Sequence, residues 1–221
     1  MHAFSCEPTT PNSVRVISLA RANDRREVFK REWGRYGLSY NWFEAIDRRI
    51  VDAVQIPACS YGKGRMMKSG EIACLMSHRS LWSSVVYAQK PMLIFEDDAL
   101  PTIYADAFYG VLAKAIAEHP NMEAMHLGHG VDGKNAFAHV FNSPDDVAGI
   151  ATAKGWGNYS YWITPAGAHR ALELTHRLNI AADWIWQDFI DRKTLCILRK
   201  PVTKHTSVVT YIGNMGRKFV L

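Results

Sequence analysis

A chain of 221 residues, 48% hydrophobic and 21% charged, has the make-up of an ordinary globular protein and is long enough to bury one full core. No stretch approaches the roughly 18 uninterrupted apolar residues of a spanning helix, and the opening MHAFSCEPTTPNS has neither the basic nor the apolar region of a secretory signal, so the expected location is the cytoplasm. The net charge of +5 favours anionic partners such as nucleotides, phosphorylated glycolipids, an anionic membrane surface or nucleic acid; apart from Arg21 with Arg25 and Arg26, and the region from Arg199 and Lys200 to Lys204, the basic residues are scattered and carry no RNA-recognition or zinc-finger signature, which ranks nucleic acid low.

Residues 1–13, rich in Pro, Ser and Thr, read as a flexible leader, and residues 14–221 as a single domain. The first regular element is expected at 14–19, VRVISL, whose alternation and β-branched residues suit a strand. An amphipathic helix is expected from Asp24, with Val28, Phe29 and Trp33 inward and its end at Gly34 or Gly37. A second strand follows near 40–44. Residues 47–68 show little periodicity, contain Pro57, Gly62 and Gly64, and carry Lys63, Arg65 and Lys68; a long loop of this kind in a compact domain is usually functional. The clearest helix is SGEIACLMSHRSLWSSVVYAQ, opened by Ser69 as N-cap, with Glu71 in the first turn where the helix dipole favours a carboxylate. Its apolar stripe runs through Ile72, Leu75, Leu81, Trp82, Val85 and Val86, and Glu71 and His78, seven residues apart, lie beside that stripe.

Next comes PMLIFEDDALP, in which four apolar residues run straight into Glu96, Asp97 and Asp98. The apolar run reads as a strand buried on both faces, and its carboxyl end is where open α/β sheets place ligands. Three adjacent carboxylates repel by about 1 kcal/mol per pair even in water-like surroundings, so they call for a cation or strong donors nearby. The plain alternative is a solvated acidic turn. A helix is expected at 105–119 and a strand at 122–127, ending in LGHG, where two glycines let the backbone approach a ligand. Residues 131–150 read as an excursion or hairpin. GWGNYSYWIT is a loop feeding an aromatic strand, and a helix follows with Thr164 as N-cap and Pro165 at its first position. ADWIWQDFIDRK, a strand at 195–198 and a polar tail complete the alternation, which predicts an α/β fold with a mostly parallel central sheet flanked by helices. Cys6, Cys59, Cys74 and Cys196 form no CxxC pair and are expected as free thiols.

ISLARANDRR, SGEIACLMSHRSLW, MLIFEDDALP, and YSYWITPAGAHRAL followed by ADW, in that order, resemble the landmarks of glycosyltransferase family 25 over roughly residues 14–190. The family includes lipooligosaccharide galactosyltransferase-type enzymes of bacteria, related to collagen hydroxylysine galactosyltransferases. The resemblance implies a GT-A-like nucleotide-sugar-binding fold, a UDP-hexose donor with galactose expected, a glycan or lipooligosaccharide acceptor, and inversion at the anomeric centre. An acceptor of that kind adds peripheral association with the inner face of the membrane to the expectations.

The resemblance also implies roles. Mn²⁺ or Mg²⁺ held by carboxylates can neutralise charge on a departing nucleotide diphosphate. Asp98 is assigned to that metal, Glu96 to the metal or, with Asp97, to the ribose or a metal-bound water, and His205 is a third metal ligand or else a surface histidine. Leu19, Arg21, Arg25 and Arg26 fall near the nucleotide, and a guanidinium suits phosphate; a solvated helix start is the alternative. Glu71, Ser77 and His78 either contact the donor sugar or support the acidic strand from behind. The base that deprotonates the acceptor is Asp183 or Asp188. Five helical residues rotate by about 500°, leaving these two some 140° apart, so they do not share one site; Asp183 alternatively caps a helix. Trp156, Tyr159, Tyr161, Trp162, Trp184 and Trp186 are either sugar-stacking platforms or core. Two other functions compete: a catalytically silent sugar-binding relative, and a metal-dependent phosphohydrolase. The chain is short for the family, and the segment from Lys204 onward matches nothing diagnostic.

Overall fold

The computed structural model describes residues 14–54, 60–61, 65–129, 139–153 and 157–205. The leader, Cys6, Cys59, Trp156 and the tail beyond His205 lie outside the described residues. Along the chain the strands are β1 (Val14–Ser18), β2 (Asn41–Glu44), β3 (Ser60–Tyr61), β4 (Arg65–Met66), β5 (Met92–Glu96), β6 (Ala99–Pro101), β7 (Ala124–His126), β8 (Gly128–His129), β9 (His139–Val140), β10 (Ala148–Ala151), β11 (Ser160–Ile163), β12 (Leu195–Leu198) and β13 (Thr203–His205). The helices are α1 (Asn23–Gly34), α2 (Arg48–Ala53), α3 (Ser69–Ala88), α4 (Phe108–Glu118), α5 (Pro165–Leu174) and α6 (Trp186–Asp191).

Eight strands form one sheet in the order β2-β1-β5-β11-β7-β12-β10-β9. β2, β1, β5, β7, β12 and β9 point one way, while β11 and β10 run against them. The expected α/β class and mostly parallel sheet are therefore present, with one departure at the centre. β11 sits antiparallel between β5 and β7, opposing Ser160 to Phe95 and Tyr161 to Ile94. Its first residues thus start beside the end of β5, and Asn158 and Tyr159 are delivered to the acidic tip.

Alternation along the strands divides the core in two. Val14, Val16, Leu93, Phe95 and Trp162 pack with Phe29 and Trp33 of α1 and Phe108 and Leu112 of α4. Ile17, Ile94, Tyr161 and Ile163 pack with Ile72, Leu75 and Trp82 of α3 and with Trp186 and Phe189 of α6. The buried stripe of α1 is Arg25, Phe29 and Trp33, each four residues apart; Val28 is only half-buried, so the inward set is rotated from the expected one by an arginine.

Three further expectations change. Ser69 is the first helical residue of α3, not its cap; Lys68 holds the cap position, and its backbone N–H donates to the Glu71 carboxylate at 2.8 Å. Within the segment read as a structureless loop, Asp47 caps α2 by accepting from the Arg49 N–H at 3.0 Å. Gly128 brings the backbone close to β13, where a Cβ would overlap the Tyr159 hydroxyl and Thr203, and Gly130 lies outside the described residues. Thr164 and Pro165 open α5 as expected, with the threonine hydroxyl accepting from the Gly167 N–H at 3.1 Å.

Candidate active site at the end of the central strand

The acidic tip is split by the same alternation that divides the core. Phe95 turns toward α1 and α4, so Glu96 turns toward α3, and the chain then leaves the sheet with Asp97 and Asp98 directed back toward α1. Two environments result.

On the α1 side, Arg25 is ion-paired to both Asp97 and Asp98, the latter at 2.8 Å. Asp97 also accepts from the Ser18 hydroxyl at 2.7 Å, and its own N–H donates to the Ile17 carbonyl. Burial pushes the Asp97 carboxyl up to about 6 against the opposing pull of Arg25 and Ser18. Asp98 meets His205, whose Nε2 lies 3.4 Å from Oδ2. That contact follows from strand pairing: β13 lies between β6 and β8 in a small second sheet, with His205 opposite Ala99, one residue beyond Asp98. Burial opposes ionisation of Asp98, but the His205 hydrogen bond and the Arg25 charge hold its carboxyl below the usual range. Burial lowers the His205 pKa, and the hydrogen bond and charge of Asp98 more than reverse this. Three buried polar atoms here have no hydrogen-bond partner among the described residues: Asp98 Oδ1, His205 Nδ1 and Arg25 Nε. Unpartnered buried polar atoms are rare in folded proteins and call for an explanation.

On the α3 side, Glu96 Oε1 lies 3.1 Å from Nε2 of the fully buried His78. His78 Nδ1 is 2.7 Å from the Tyr161 hydroxyl, which accepts from the Trp82 indole N–H at 2.9 Å. His78 therefore supports the acidic strand from behind. Ser77, one residue earlier, accepts from the Ile46 N–H at 2.9 Å and ties α3 to the chain following β2.

Between α1, α3 and the tip lies a cleft. Ile17, Ser18, Leu19 and Ala22 form one wall, Gly70, Ala73, Cys74 and Ser77 another, Arg21, Arg25 and Arg48 reach it from the basic side, and Glu96 and Asp97 close its end. Of the expected donor-side residues, Leu19, Arg21, Arg25, Ser77, Glu96 and Asp97 line this cleft, and Arg21 also bonds Asp47 at 2.8 Å. Arg26 does not line it. Its guanidinium clamps the end of β1, donating to the hydroxyl and carbonyl of Ser18 at 3.0 Å each, and lies over Trp42. Glu71 sits at the mouth of α3 in its capping role. Asp183 lies in a short 3₁₀ turn, Ala182–Trp184, after its cap Ala181, so it is not a helix N-cap; it is close enough to Cys74 to raise that thiol, behind burial and Glu96. Asp188 is elsewhere, bonded to Arg192 at 2.9 Å and 3.8 Å from Arg170. The aromatic set is mainly core: Tyr159, Tyr161, Trp162 and Trp186 are buried, and Trp184, 41% exposed, is the member of the described set open to a ligand.

Sequence reasoning missed Ser18, Arg48, Cys74 and Asn158. Arg48 lay in a segment without periodicity; Cys74 was signalled by its place four residues before His78, one helical turn away.

Residues 12–186 match the model of Glycosyltransferase family 25 (LPS biosynthesis protein), and the chain belongs to that family. It is 28% identical over 159 residues to the lacto-N-neotetraose biosynthesis glycosyltransferase LgtB of Neisseria meningitidis serogroup B, a match covering 67% of this chain and 56% of that protein. It is 34% identical over 98 residues to the lipooligosaccharide biosynthesis protein lic2B of Haemophilus influenzae, covering 42% of this chain and 36% of the relative. It is also 29% identical over 188 residues to the inactive glycosyltransferase 25 family member 3 of Homo sapiens, covering 73% of this chain and 28% of the human protein. The chain thus spans about half, or less, of the length of these curated relatives. Among solved structures, mannose-1-phosphate geranyltransferase from Thermus thermophilus covers 86% of this chain and 74% of its own, at a TM-score of 0.40 and 9% identity, too loose a likeness to argue from. No helix among the described residues is long and apolar enough to cross a membrane.

Proposed function

We propose that the protein is an inverting, metal-assisted hexosyltransferase that uses a UDP-sugar, galactose being the sugar expected, and a glycan or lipooligosaccharide acceptor. The single observation that carries this reading is the buried Asp98 carboxylate, whose Oδ1 has no hydrogen-bond partner among the described residues while its Oδ2 faces His205 Nε2 at 3.4 Å, in a family member whose adjoining cleft is lined by three arginines. Carboxylate oxygen and imidazole nitrogen suit Mn²⁺, and carboxylate oxygen suits Mg²⁺. Asp98 and His205 would hold the cation; Glu96, whose Oε1 faces His78, fits that task less well. When bound, the cation supplies positive charge for a departing nucleotide diphosphate.

The remaining steps belong to the chain's own side chains. Arg21 and Arg48 offer guanidinium donors to phosphate from the cleft wall, and Arg25 keeps Asp97 and Asp98 together while no cation is present. Asp97, fixed by Ser18, is available to a ribose hydroxyl. Asp183 is the proposed base for the acceptor hydroxyl, and Asp188 is set aside by its ion pairs. Peripheral contact with an anionic membrane surface is proposed from the net charge of +5.

The test is release of UDP from a panel of UDP-hexoses with and without Mn²⁺, alongside thermal shifts. Turnover of one UDP-hexose that needs Mn²⁺ and is lost in Asp98→Asn is expected, with donor at a hundred times its Kd stabilising the fold by about 2.7 kcal/mol. Binding without turnover would instead indicate a silent relative, and preference for phosphomonoesters a phosphohydrolase.

A further inference from the structure

The α3 side of the tip holds a set of groups that the proposed reaction does not use. Cys74 and His78 lie four residues apart on one face of α3, and Glu96 ends β5 opposite them; one ligand atom from each falls within 4.8 Å of the other two. A tetrahedral Zn²⁺, with bonds to nitrogen and oxygen near 2.0–2.1 Å and to sulfur near 2.3 Å, keeps its ligands roughly 3.3–3.7 Å apart. Small side-chain adjustments would bring the three groups to that spacing.

A second observation comes from outside the trio. The Trp186 indole N–H donates to Asn158 Oδ1 at 3.2 Å, which fixes the amide so that Asn158 Nδ2, a donor, faces His78 Nε2 at 3.2 Å. The same nitrogen faces the Glu96 carboxylate, an acceptor, at 3.1 Å. If Nε2 carries the proton, donor meets donor at Asn158. If it carries the lone pair, lone pair meets carboxylate at Glu96. Reversing the amide moves the conflict to Trp186. A cation shared by the Nε2 lone pair and a Glu96 oxygen relieves the contact of lone pair with carboxylate, at the expense of turning the Asn158 amide away from a nitrogen that can no longer accept, and the ring proton then sits on Nδ1, where the Tyr161 oxygen can accept it.

We propose that Cys74, His78 and Glu96 form a binding site for a thiophilic divalent cation, Zn²⁺ by its chemistry, on the wall of the cleft and separate from the Asp98–His205 position. Thiolate with imidazole selects zinc over manganese or magnesium, whereas carboxylate-rich positions do the reverse. Binding displaces one proton, from the Cys74 thiol to solvent, and forms the sulfur–metal bond. Cys74 and Glu96 line the cleft, so the cation enters from it and keeps its fourth coordination position open toward that space.

The experiment titrates the metal-free full chain with Co²⁺ and reads the thiolate-to-cobalt charge-transfer absorption. One equivalent should develop the band, and Zn²⁺ should bleach it. Cys74→Ser, checked for folding by circular dichroism, should lose the band. Glu96→Gln should weaken binding by at least about tenfold, the scale on which even a ligand's own hydrogen-bond partner acts. No band in the wild type, the same band in Cys74→Ser, or unchanged affinity in Glu96→Gln overturns the site. Asp98→Asn should keep the band, so failure of the glycosyltransferase reading and failure of this one are seen separately.

Discussion

Two clusters of charge sit at opposite ends of the interior strands of the same sheet, and they are built differently. At the end where β7 begins, Glu123 takes a two-pronged bond from Arg170 at 2.6 and 2.9 Å and a third from Thr194 at 3.2 Å, while Asp188 pairs with Arg192. These carboxylates have their partners. At the carboxyl end of β5, Asp98 is deeper, yet one of its oxygens, one nitrogen of His205 and the Nε of Arg25 have no hydrogen-bond partner among the described residues. The difference teaches that the number of charges does not separate the two clusters; what separates them is the buried bonding capacity left open on three neighbouring charged side chains at the tip.

The largest effect that would sharpen this contrast is expected from Arg25→Met. Removing the guanidinium between two buried carboxylates should destabilise the fold by about 3–5 kcal/mol in urea denaturation, because the charges left behind are uncompensated. Added Mn²⁺ should restore much of that loss if the tip can exchange arginine for a metal; no recovery would break the comparison. At the other end, Glu123→Gln should cost only about 1 kcal/mol, since the pair is partly solvated, and UDP-hexose turnover should be unchanged. Its pH dependence has a definite sign. The hydrogen bond from Arg170, together with the charge of that residue, lowers the folded-state pKa of Glu123 against the effect of burial. The stability it contributes is therefore present above the unfolded value of about 4.3 and is lost as pH falls through the folded one. Urea midpoints of wild type and Glu123→Gln should converge in that acid range. The smallest effect is expected from Asp188→Asn, at most about 0.5 kcal/mol with turnover retained; loss of turnover would return Asp188 to the list of bases.

Much of this contrast was legible in the residues. The buried strand ending in EDD, the long helix carrying His78, the Thr164–Pro165 helix start and the α/β alternation are all set by local patterning, and each stands where the pattern puts it. The partners of the tip were harder to read. Arg25 was visible as a basic residue, but only the rotation of α1, with arginine in its buried stripe, makes it the counter-ion of Asp97 and Asp98. His205 reaches Asp98 because β13 pairs with β6, a ladder of three residues with no periodicity to announce it. Asp183 and Asp188 look alike in the sequence, and it is their place in the fold that separates them, Asp183 near Cys74 of the cleft wall and Asp188 beside Arg170 and Arg192. Antiparallel β11 was hidden because strand direction is decided by pairing across the sheet rather than by composition.

The central claim is that Asp98 and His205 take up a divalent cation beneath a nucleotide diphosphate. Calorimetric titration of Mn²⁺ in the presence of UDP tests it most directly, comparing wild type, Asp98→Asn and His205→Ala. One Mn²⁺ bound per chain by the wild type, none by Asp98→Asn, and a Kd raised by about ten- to a hundredfold in His205→Ala is the predicted result. Equal Mn²⁺ binding by all three proteins, or none by the wild type, would contradict it.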